Sequence, residues 1–192
     1  MPTQTLRRLP NILVCGTPGC GKSSLCESLV ELPRLSSLPL KHIVFGNLAK
    51  EKNIHAGRDE RLDTLLIDEA SEDLLLDELE PIASAGGLVL EHHSCSFFPE
   101  RWFDLVLVLR TNNTELYDRL HQRGYTEHKI RENVECEIMQ VVADEAIESF
   151  PREGVVQQLV SESLSDLESN VQRTESWILQ WIADNQSLQK KS

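Results

Sequence analysis

Residues 11–25 read NILVCGTPGCGKSSL, a short apolar run followed by a glycine-rich segment. The run from Asn11 to Cys15 predicts a strand buried on both faces of a parallel sheet, and the apolar spacing after it predicts a helix over 22–31. Between them, residues 16–23 match G-x-x-x-x-G-K-[ST], the phosphate-binding loop (P-loop) that connects such a strand to such a helix. The segment therefore predicts an α/β fold that binds a nucleotide.

Each residue type in the P-loop has a chemical role. Gly19 and Gly21 let successive backbone N–H groups turn inward around phosphate oxygens, at the positive end of the helix dipole. Lys22 is expected to reach the β- and γ-phosphates of ATP, Ser23 to complete the shell of Mg²⁺, and Ser24 to contact the α-phosphate. The sequence lacks an N-K-x-D motif, so a GTPase is disfavoured.

Further apolar runs alternate with helical patterns along the chain. Strands are predicted over 42–45, 88–90, 105–109 and 155–160. Helices are predicted over 71–85, 113–122, 127–149 and 165–184, and the polar tail 185–192 is expected to fray. The alternation predicts a doubly wound parallel sheet of about five strands, within a single domain over 1–192.

Charge and hydropathy disfavour several classes of protein. The chain has 19 Lys and Arg against 31 Asp and Glu, a net charge of −12, which is unsuited to general nucleic-acid binding or to anionic membranes. Its apolar runs are shorter than the ~20 residues of a membrane span, and residues 1–10 lack a signal peptide's apolar stretch, so we expect a soluble intracellular protein. The five cysteines form no C-x-x-C pair, which favours free thiols over disulfides or a cysteine zinc site.

Three segments together resemble one known family. GTPGCGKSS at 16–24, EHHSCSFFPERWFDLVLVLRT at 91–111 and YDRLHQRGY at 117–125 resemble the adenylate kinase isoenzyme 6 family, and the likeness runs from about residue 10 to 182. The resemblance implies a P-loop nucleoside-monophosphate kinase fold with a short lid, using ATP and Mg²⁺. It also implies ATP hydrolysis, AMP as a phosphoryl acceptor, and a role in small ribosomal subunit maturation.

The implied partners are a platform ribosomal protein and the pre-ribosomal particle, with no membrane. A monomer in the nucleus and cytoplasm is expected. Two other functions stay open. One is a metabolic nucleoside-monophosphate kinase without an assembly role, and the other is a nucleotide-gated binding module with little catalysis.

An acid and a histidine follow the strand predicted over 88–90. Glu91 stands at the carboxyl end, where such sheets bind ligands, and is predicted to hold Mg²⁺ through water. If the strand continues, His93 points to the same side and would orient a water or the phosphoryl acceptor. The family pattern is Asp-x-His, so Glu91 is a departure. A solvated acid and a structural histidine are the alternatives, and His92 is expected to pack or to face solvent.

Two arginines lie one helical turn apart before a short connection. Arg119 and Arg123 share a helix face and suit adenine stacking and phosphate clamping, like the arginine pair that opens the lid of adenylate kinases. Surface pairing with Glu115 or Asp118 is the alternative. Arg110 is a further candidate with an alternative structural role. Residues 122–132 would form the short lid.

Residues 46–69 occupy the place of the monophosphate-binding insertion. Gly46, Asn47 and Lys50 are the candidate acceptor residues. The family has Asp and Arg where this chain has Asn47 and Lys50, and a lysine keeps the charge without the guanidinium fork, so AMP affinity is in question. Ser96–Glu100 also lacks the G-F-P-R arginine of long adenylate kinases.

Two other features have two readings each, and a third carries a single prediction. The stripe of Trp177, Ile178, Trp181 and Ile182 has the spacing of a core face, with partner binding as the alternative. The acidic run over 59–80 is either a solvated face or a docking surface for a basic ribosomal protein. Cys20 lies among loop amides near Lys22, which predicts a lowered thiol pKa and inactivation by alkylation.

Overall fold

A computed structural model describes residues 7–59 and 64–189. Five parallel strands form the central sheet in the order β2-β5-β1-β6-β7, and β3 pairs with β4 in a separate antiparallel hairpin. The strands are β1 (Ile12–Cys15), β2 (Lys41–Val44), β3 (Gly57–Asp59), β4 (Thr64–Leu66), β5 (Leu88–Glu91), β6 (Leu105–Arg110) and β7 (Val156–Val160). The helices are α1 (Lys22–Glu31), α2 (Phe45–Lys52), α3 (Glu69–Ala85), α4 (Asn113–Gln122), α5 (Glu127–Ile138), α6 (Val141–Ser149) and α7 (Leu164–Gln189), with a 3₁₀ turn at Glu100–Trp102. The predicted doubly wound α/β fold is confirmed.

Alternate residues of the central strands face two different hydrophobic cores. Leu13 packs in one core with residues of α3 and α6, while its neighbours Ile12 and Val14 pack in the other with residues of α1, α4, α5 and α7. Both faces of β1 are therefore buried, as its continuous apolar run predicted. This arrangement fixes the carboxyl edge of the sheet, where β1 runs into the P-loop and β5 ends at Glu91.

Local sequence sets several helix starts. Asp68, Asn112 and Thr126 each accept a hydrogen bond from a backbone N–H in the first turn of the helix that follows. Pro81 lies inside α3 without ending it. The described residues include no helix long and apolar enough to cross a membrane.

Two helix predictions need correction. The predicted helix over 127–149 is two helices, because Gln140 adopts a left-handed backbone conformation (φ 57°) between α5 and α6. At the other end, α7 runs beyond residue 184 to Gln189, so the tail expected to fray over 185–192 is helical over 185–189, and residues 190–192 lie outside the described residues. The amide of Asn185 donates a 2.8 Å hydrogen bond to the Arg7 carbonyl, which ties this last part of α7 to the start of the described chain.

The C-terminal aromatic stripe lies mostly against the core. Ile178 is fully buried, and Trp177 and Ile182 pack beside it at the same core. Trp181 is half-buried. The core reading of this stripe is therefore confirmed for Ile178, Trp177 and Ile182.

Candidate nucleotide-binding site

The P-loop adopts a conformation that requires glycine at two places. Gly16 has φ 142°, and a side chain there would meet the Leu109 carbonyl oxygen at 2.7 Å. Gly21 has φ 88° and forms the N-cap of α1. The loop therefore wraps closely over β6 and points the N-terminus of α1 into a cleft of about 450 Å³.

Lys22 is buried at the base of this loop. Its Nζ donates to the carbonyl oxygens of Gly16 and Thr17 at 2.7 and 3.1 Å. Burial lowers the Lys22 pKa from its ordinary value, while the nearby Cys20 and Glu91 act in the opposite direction. The ammonium thus lies within the loop, at the wall of the cleft.

Ser23 and Glu91 connect the P-loop to the end of β5. The Ser23 hydroxyl donates to Glu91 Oε1 at 2.7 Å, and His42 Nε2 lies 3.1 Å from Glu91 Oε2. Burial would raise the pKa of Glu91, but the hydrogen bonds from His42 and Ser23 and the charge of Lys22 bring it below its ordinary value. Glu91 is therefore an ionised carboxylate at neutral pH, and not the solvated strand-end acid of the alternative reading.

The two histidines after Glu91 have different surroundings. The strand ends at Glu91, so His93 does not reach the cleft by continued strand alternation, although its side chain lines the cleft. His93 is exposed at the cleft wall, and partial desolvation by neighbouring protein atoms, followed by repulsion from Lys22, lowers its pKa below the ordinary value. The His92 ring stacks edge-on against Phe45, Phe97 and Phe98, and burial lowers its pKa to about 3.

The arginine pair is divided between two roles. The Arg119 guanidinium donates to the backbone carbonyls of Ser161 and Glu162 at 2.9 and 2.7 Å, and more distantly to Gly19, instead of pairing with Glu115 or Asp118. Arg123 ends α4 and lines the cleft. Arg119 thereby positions the segment after β7 against the P-loop, whereas Arg123 is placed to meet a ligand.

The acceptor side of the cleft comes from residues 44–67. Gly46 and Lys50 of α2 line it, together with Arg58 of β3, which sequence reasoning missed because an arginine in a short, irregular insertion carries no periodic signal. Phe45 is buried below them. Asn47 and Ser24 are exposed and do not line the cleft. Nine predicted residues are thus brought together in one cleft: Gly19, Gly21, Lys22, Ser23, Gly46, Lys50, Glu91, His93 and Arg123.

Glu137 is a second residue that the sequence did not single out. Its buried carboxylate accepts hydrogen bonds from the Thr17 hydroxyl at 2.6 Å and from Arg110 Nε at 2.6 Å, and from the Thr111 backbone N–H. Arg110 is therefore used structurally, in an ion pair with Glu137. One carboxylate near the end of α5 holds the P-loop and the end of β6 together.

The prediction for Cys20 is wrong. Its side chain is fully buried, and burial, followed by the charge of Glu137, raises the thiol pKa. Proximity to loop amides and Lys22 does not compensate for the lost solvation. All five cysteines are free thiols, as predicted, but Cys20 is unsuited to alkylation.

The residues present fit ATP and Mg²⁺. A helix N-terminus and a buried ammonium suit polyphosphate, and a serine hydroxyl beside an ionised carboxylate offers the oxygen ligands that Mg²⁺ takes directly or through water. Lys22 and the loop amides would hold the phosphates, and Ser23 and Glu91 the metal ion.

Comparison with known proteins identifies the family. A family model described as an AAA domain matches residues 12–140. The chain is 45% identical over 175 residues to an adenylate kinase isoenzyme 6 homolog of Schizosaccharomyces pombe, covering 91% of this chain and 95% of that protein. It is also 45% identical to a homolog of Dictyostelium discoideum (93% and 97% covered) and 43% identical to the homolog FAP7 of Saccharomyces cerevisiae (90% and 84% covered).

Solved structures with the same fold include two small-molecule kinases. Shikimate kinase from Bacteroides thetaiotaomicron superposes with a TM-score of 0.58 at 14% identity, covering 88% of this chain and 98% of that one. A gluconokinase from Sinorhizobium meliloti gives 0.51 at 14% identity, covering 88% and 95%. These likenesses support the fold, and the sequence relatives define the family. The chain belongs to the adenylate kinase isoenzyme 6 family.

Proposed function

We propose that this protein is an ATP-dependent nucleotide kinase that transfers a phosphoryl group to AMP and also hydrolyses ATP. The observation that carries the proposal is the contact between Ser23 and Glu91 in a cleft whose opposite side is formed by Gly46, Lys50 and Arg58. Phosphate donor and acceptor can therefore lie in one continuous space. The names of the relatives, adenylate kinase isoenzyme 6 homologs, support the same activity.

The chain's own groups divide the work between binding and positioning. Lys22 and the loop amides bind the donor phosphates, while Mg²⁺, when bound, neutralises charge on the transferred group. The neutral His93 imidazole can accept a hydrogen bond from an attacking water or orient the acceptor phosphate. Lys50 supplies positive charge on the acceptor side, as a point charge and not as a fork. If AMP binds weakly, a water molecule can take its place and accept the phosphoryl group from ATP. We therefore propose the kinase and ATPase activities together.

The test separates the two activities. Purified protein with ATP and Mg²⁺ is assayed for ADP and for inorganic phosphate, with and without AMP. The proposal expects phosphate release without AMP, and additional ADP formation without additional phosphate when AMP is present. ADP formation that never depends on AMP would overturn the kinase activity, and phosphate that stays at background would overturn the ATPase activity. ATP binding with neither product would favour the binding module.

We further propose that this activity serves small ribosomal subunit assembly in the nucleus and cytoplasm, through a basic platform ribosomal protein on the pre-ribosomal particle. The supporting feature is an acidic stripe of Glu69, Asp73 and Asp77, which are exposed and four residues apart on α3. Part of the acidic run, residues 60–63, lies outside the described residues. Attraction between this stripe and a basic partner would weaken as salt shortens the ~10 Å screening length at 0.1 M.

Charge reversal on the stripe tests the partner proposal. Asp73→Lys with Asp77→Lys is expected to weaken binding of the purified ribosomal protein and to flatten its dependence on salt. The matched control is Glu148→Lys with Glu168→Lys, which makes the same change of charge at exposed positions on α6 and α7. Titrations at two salt concentrations measure both effects. If both double variants lost the same amount of affinity for the ribosomal protein, net charge alone would explain the loss. This result would contradict the docking role of the stripe and favour the metabolic kinase.

A further inference from the structure

Three potential metal ligands from distant parts of the sequence meet beside the P-loop. The Cys26 thiol of α1, the His42 imidazole of β2 and the Glu91 carboxylate of β5 place one ligand atom each within 4.8 Å of one another. Cys26 is fully buried, and the side chains of His42 and Glu91 are only 15% and 8% exposed. The cysteine spacing in the sequence disfavoured a zinc site, because it could not show which histidine and carboxylate lie next to which thiol.

Strand pairing and the position of α1 bring these three groups together. Strands β2 and β5 pair in parallel, with Val44 opposite Glu91, so His42 lies two residues earlier on the neighbouring strand. Cys26 follows Lys22 by one turn of α1, which places its thiol behind the P-loop. Among residues 7–59 and 64–189, the Cys26 thiol has no hydrogen-bond partner. Its sulfur, a soft metal ligand, lies beside the imidazole of His42 and the carboxylate of Glu91, which contact each other at 3.1 Å.

The donor set matches zinc better than magnesium. Zinc binds Cys, His and carboxylate ligands at about 2.0–2.3 Å in a tetrahedron, so ligand atoms lie about 3.3–3.8 Å apart. The ligand atoms, at most 4.8 Å apart, would therefore have to move about 1 Å closer together to bind zinc. Three protein ligands leave the fourth position of the tetrahedron to water. Magnesium takes oxygen ligands in an octahedron, and a buried thiol does not suit it.

We propose that Cys26, His42 and Glu91 form a binding site for zinc, and that zinc bound there inhibits nucleotide turnover. On binding, the Cys26 thiol releases its proton to solvent as the sulfur–zinc bond forms, and the His42 nitrogen that binds zinc gives up its proton, so that the neutral imidazole keeps one proton on its other nitrogen. Glu91 lines the cleft, which gives the ion a path of entry. Inhibition follows because zinc binds the Glu91 carboxylate, which is then no longer available to magnesium beside Ser23. The inhibition rests on the proposed function, whereas zinc binding does not.

Cobalt reports the site without any activity. Co²⁺ titrated into the nucleotide-free protein should produce a thiolate-to-metal charge-transfer band at one equivalent, and Zn²⁺ should displace it. Cys26→Ser should remove the band and weaken binding at least ~10-fold. Cys136→Ser, which changes the exposed cysteine of α5, should leave the band unchanged. His42→Gln, which leaves the buried thiol in place, should also weaken binding and serves if the Cys26 variant does not fold.

The outcomes are distinct. Absence of the band, its survival in Cys26→Ser, or its loss in Cys136→Ser would overturn the site. In the turnover assay, Cys26→Ser should need at least ~10-fold more Zn²⁺ for half-inhibition than the Cys136→Ser control, which also corrects for chelation of zinc by ATP. A cobalt band with equal inhibition of both variants would overturn the inhibitory role. A cobalt band on a protein without turnover would contradict the proposed function and leave the metal site standing.

Discussion

Lys22→Ala should weaken MgATP binding at least ~30-fold, because truncating one partner of a buried charge pair costs about 2–5 kcal/mol of binding free energy. Lys22 is buried at the wall of the cleft, where Nζ donates to the carbonyls of Gly16 and Thr17 and keeps its third donor for a phosphate. Screening by solvent is weak at such a site, which is why a buried ammonium contributes more than an exposed one. Isothermal titration calorimetry measures the affinity.

The matched control for this prediction is Lys52→Ala. Lys52 is an exposed lysine at the end of α2 that pairs with Glu78 and does not line the cleft. Its loss should leave the affinity for MgATP near that of the unmodified protein. Circular dichroism shows whether Lys22→Ala still folds. A folded Lys22→Ala variant that binds MgATP as well as Lys52→Ala does would contradict the assignment of residues 16–23 as the phosphate site.

The double change Glu91→Ala with His93→Ala should lower turnover by roughly 10²–10⁴-fold, the range for a positioned proton-transfer or orienting group. Glu91 is held at the cleft by Ser23 and His42, and His93 lines the same cleft, so both side chains can reach a bound nucleotide. ATP affinity should fall much less, because Lys22 and the loop amides remain. Turnover at saturating ATP and the dissociation constant are measured separately.

The chain offers a matched control for this pair as well. His121 and Asp118 are an exposed histidine and acid one turn apart on α4, and neither lines the cleft. Their double change to alanine should leave turnover unchanged. If the Glu91 and His93 variant retained full turnover, neither residue would belong to the catalytic site. If affinity fell as much as turnover, their role would be binding.

The sequence predicted those parts of the fold and site that depend on neighbouring residues. The P-loop is one continuous segment, so its strand, glycines, Lys22 and Ser23 could be predicted together. The break in the helix predicted over 127–149 could not be predicted, because glutamine is not a typical helix-ending residue. Gln140 is left-handed in the structure, and α6, which follows it, packs against the core. The pKa of Cys20 was predicted wrongly for a related reason, because elements distant in sequence bury its thiol.

Residues brought together only by tertiary structure were missed or left without a partner. Glu137 is one of several acids on α5, and only the fold shows that it faces Thr17 and Arg110. The role of His42 likewise could not be predicted, because only the pairing of β2 with β5 places it beside Glu91. Arg58 lies on the short β3 hairpin, whose approach to the cleft no local pattern records.

The buried carboxylate of Glu137 also limits how far the chain next to the predicted lid at 122–132 can move. Drawing the end of α5 away from the P-loop would leave this acid without Thr17 and Arg110, at a cost of about 3–5 kcal/mol for a buried charge that loses its partner. The end of α5 therefore behaves as a fixed anchor. The connection at residues 123–126 is held as well, because Tyr125 packs against the core and its backbone N–H donates to the Leu120 carbonyl. We therefore expect the predicted lid at 122–132 to move little over a nucleotide, because Tyr125 within it and Glu137 just beyond it are both held in place.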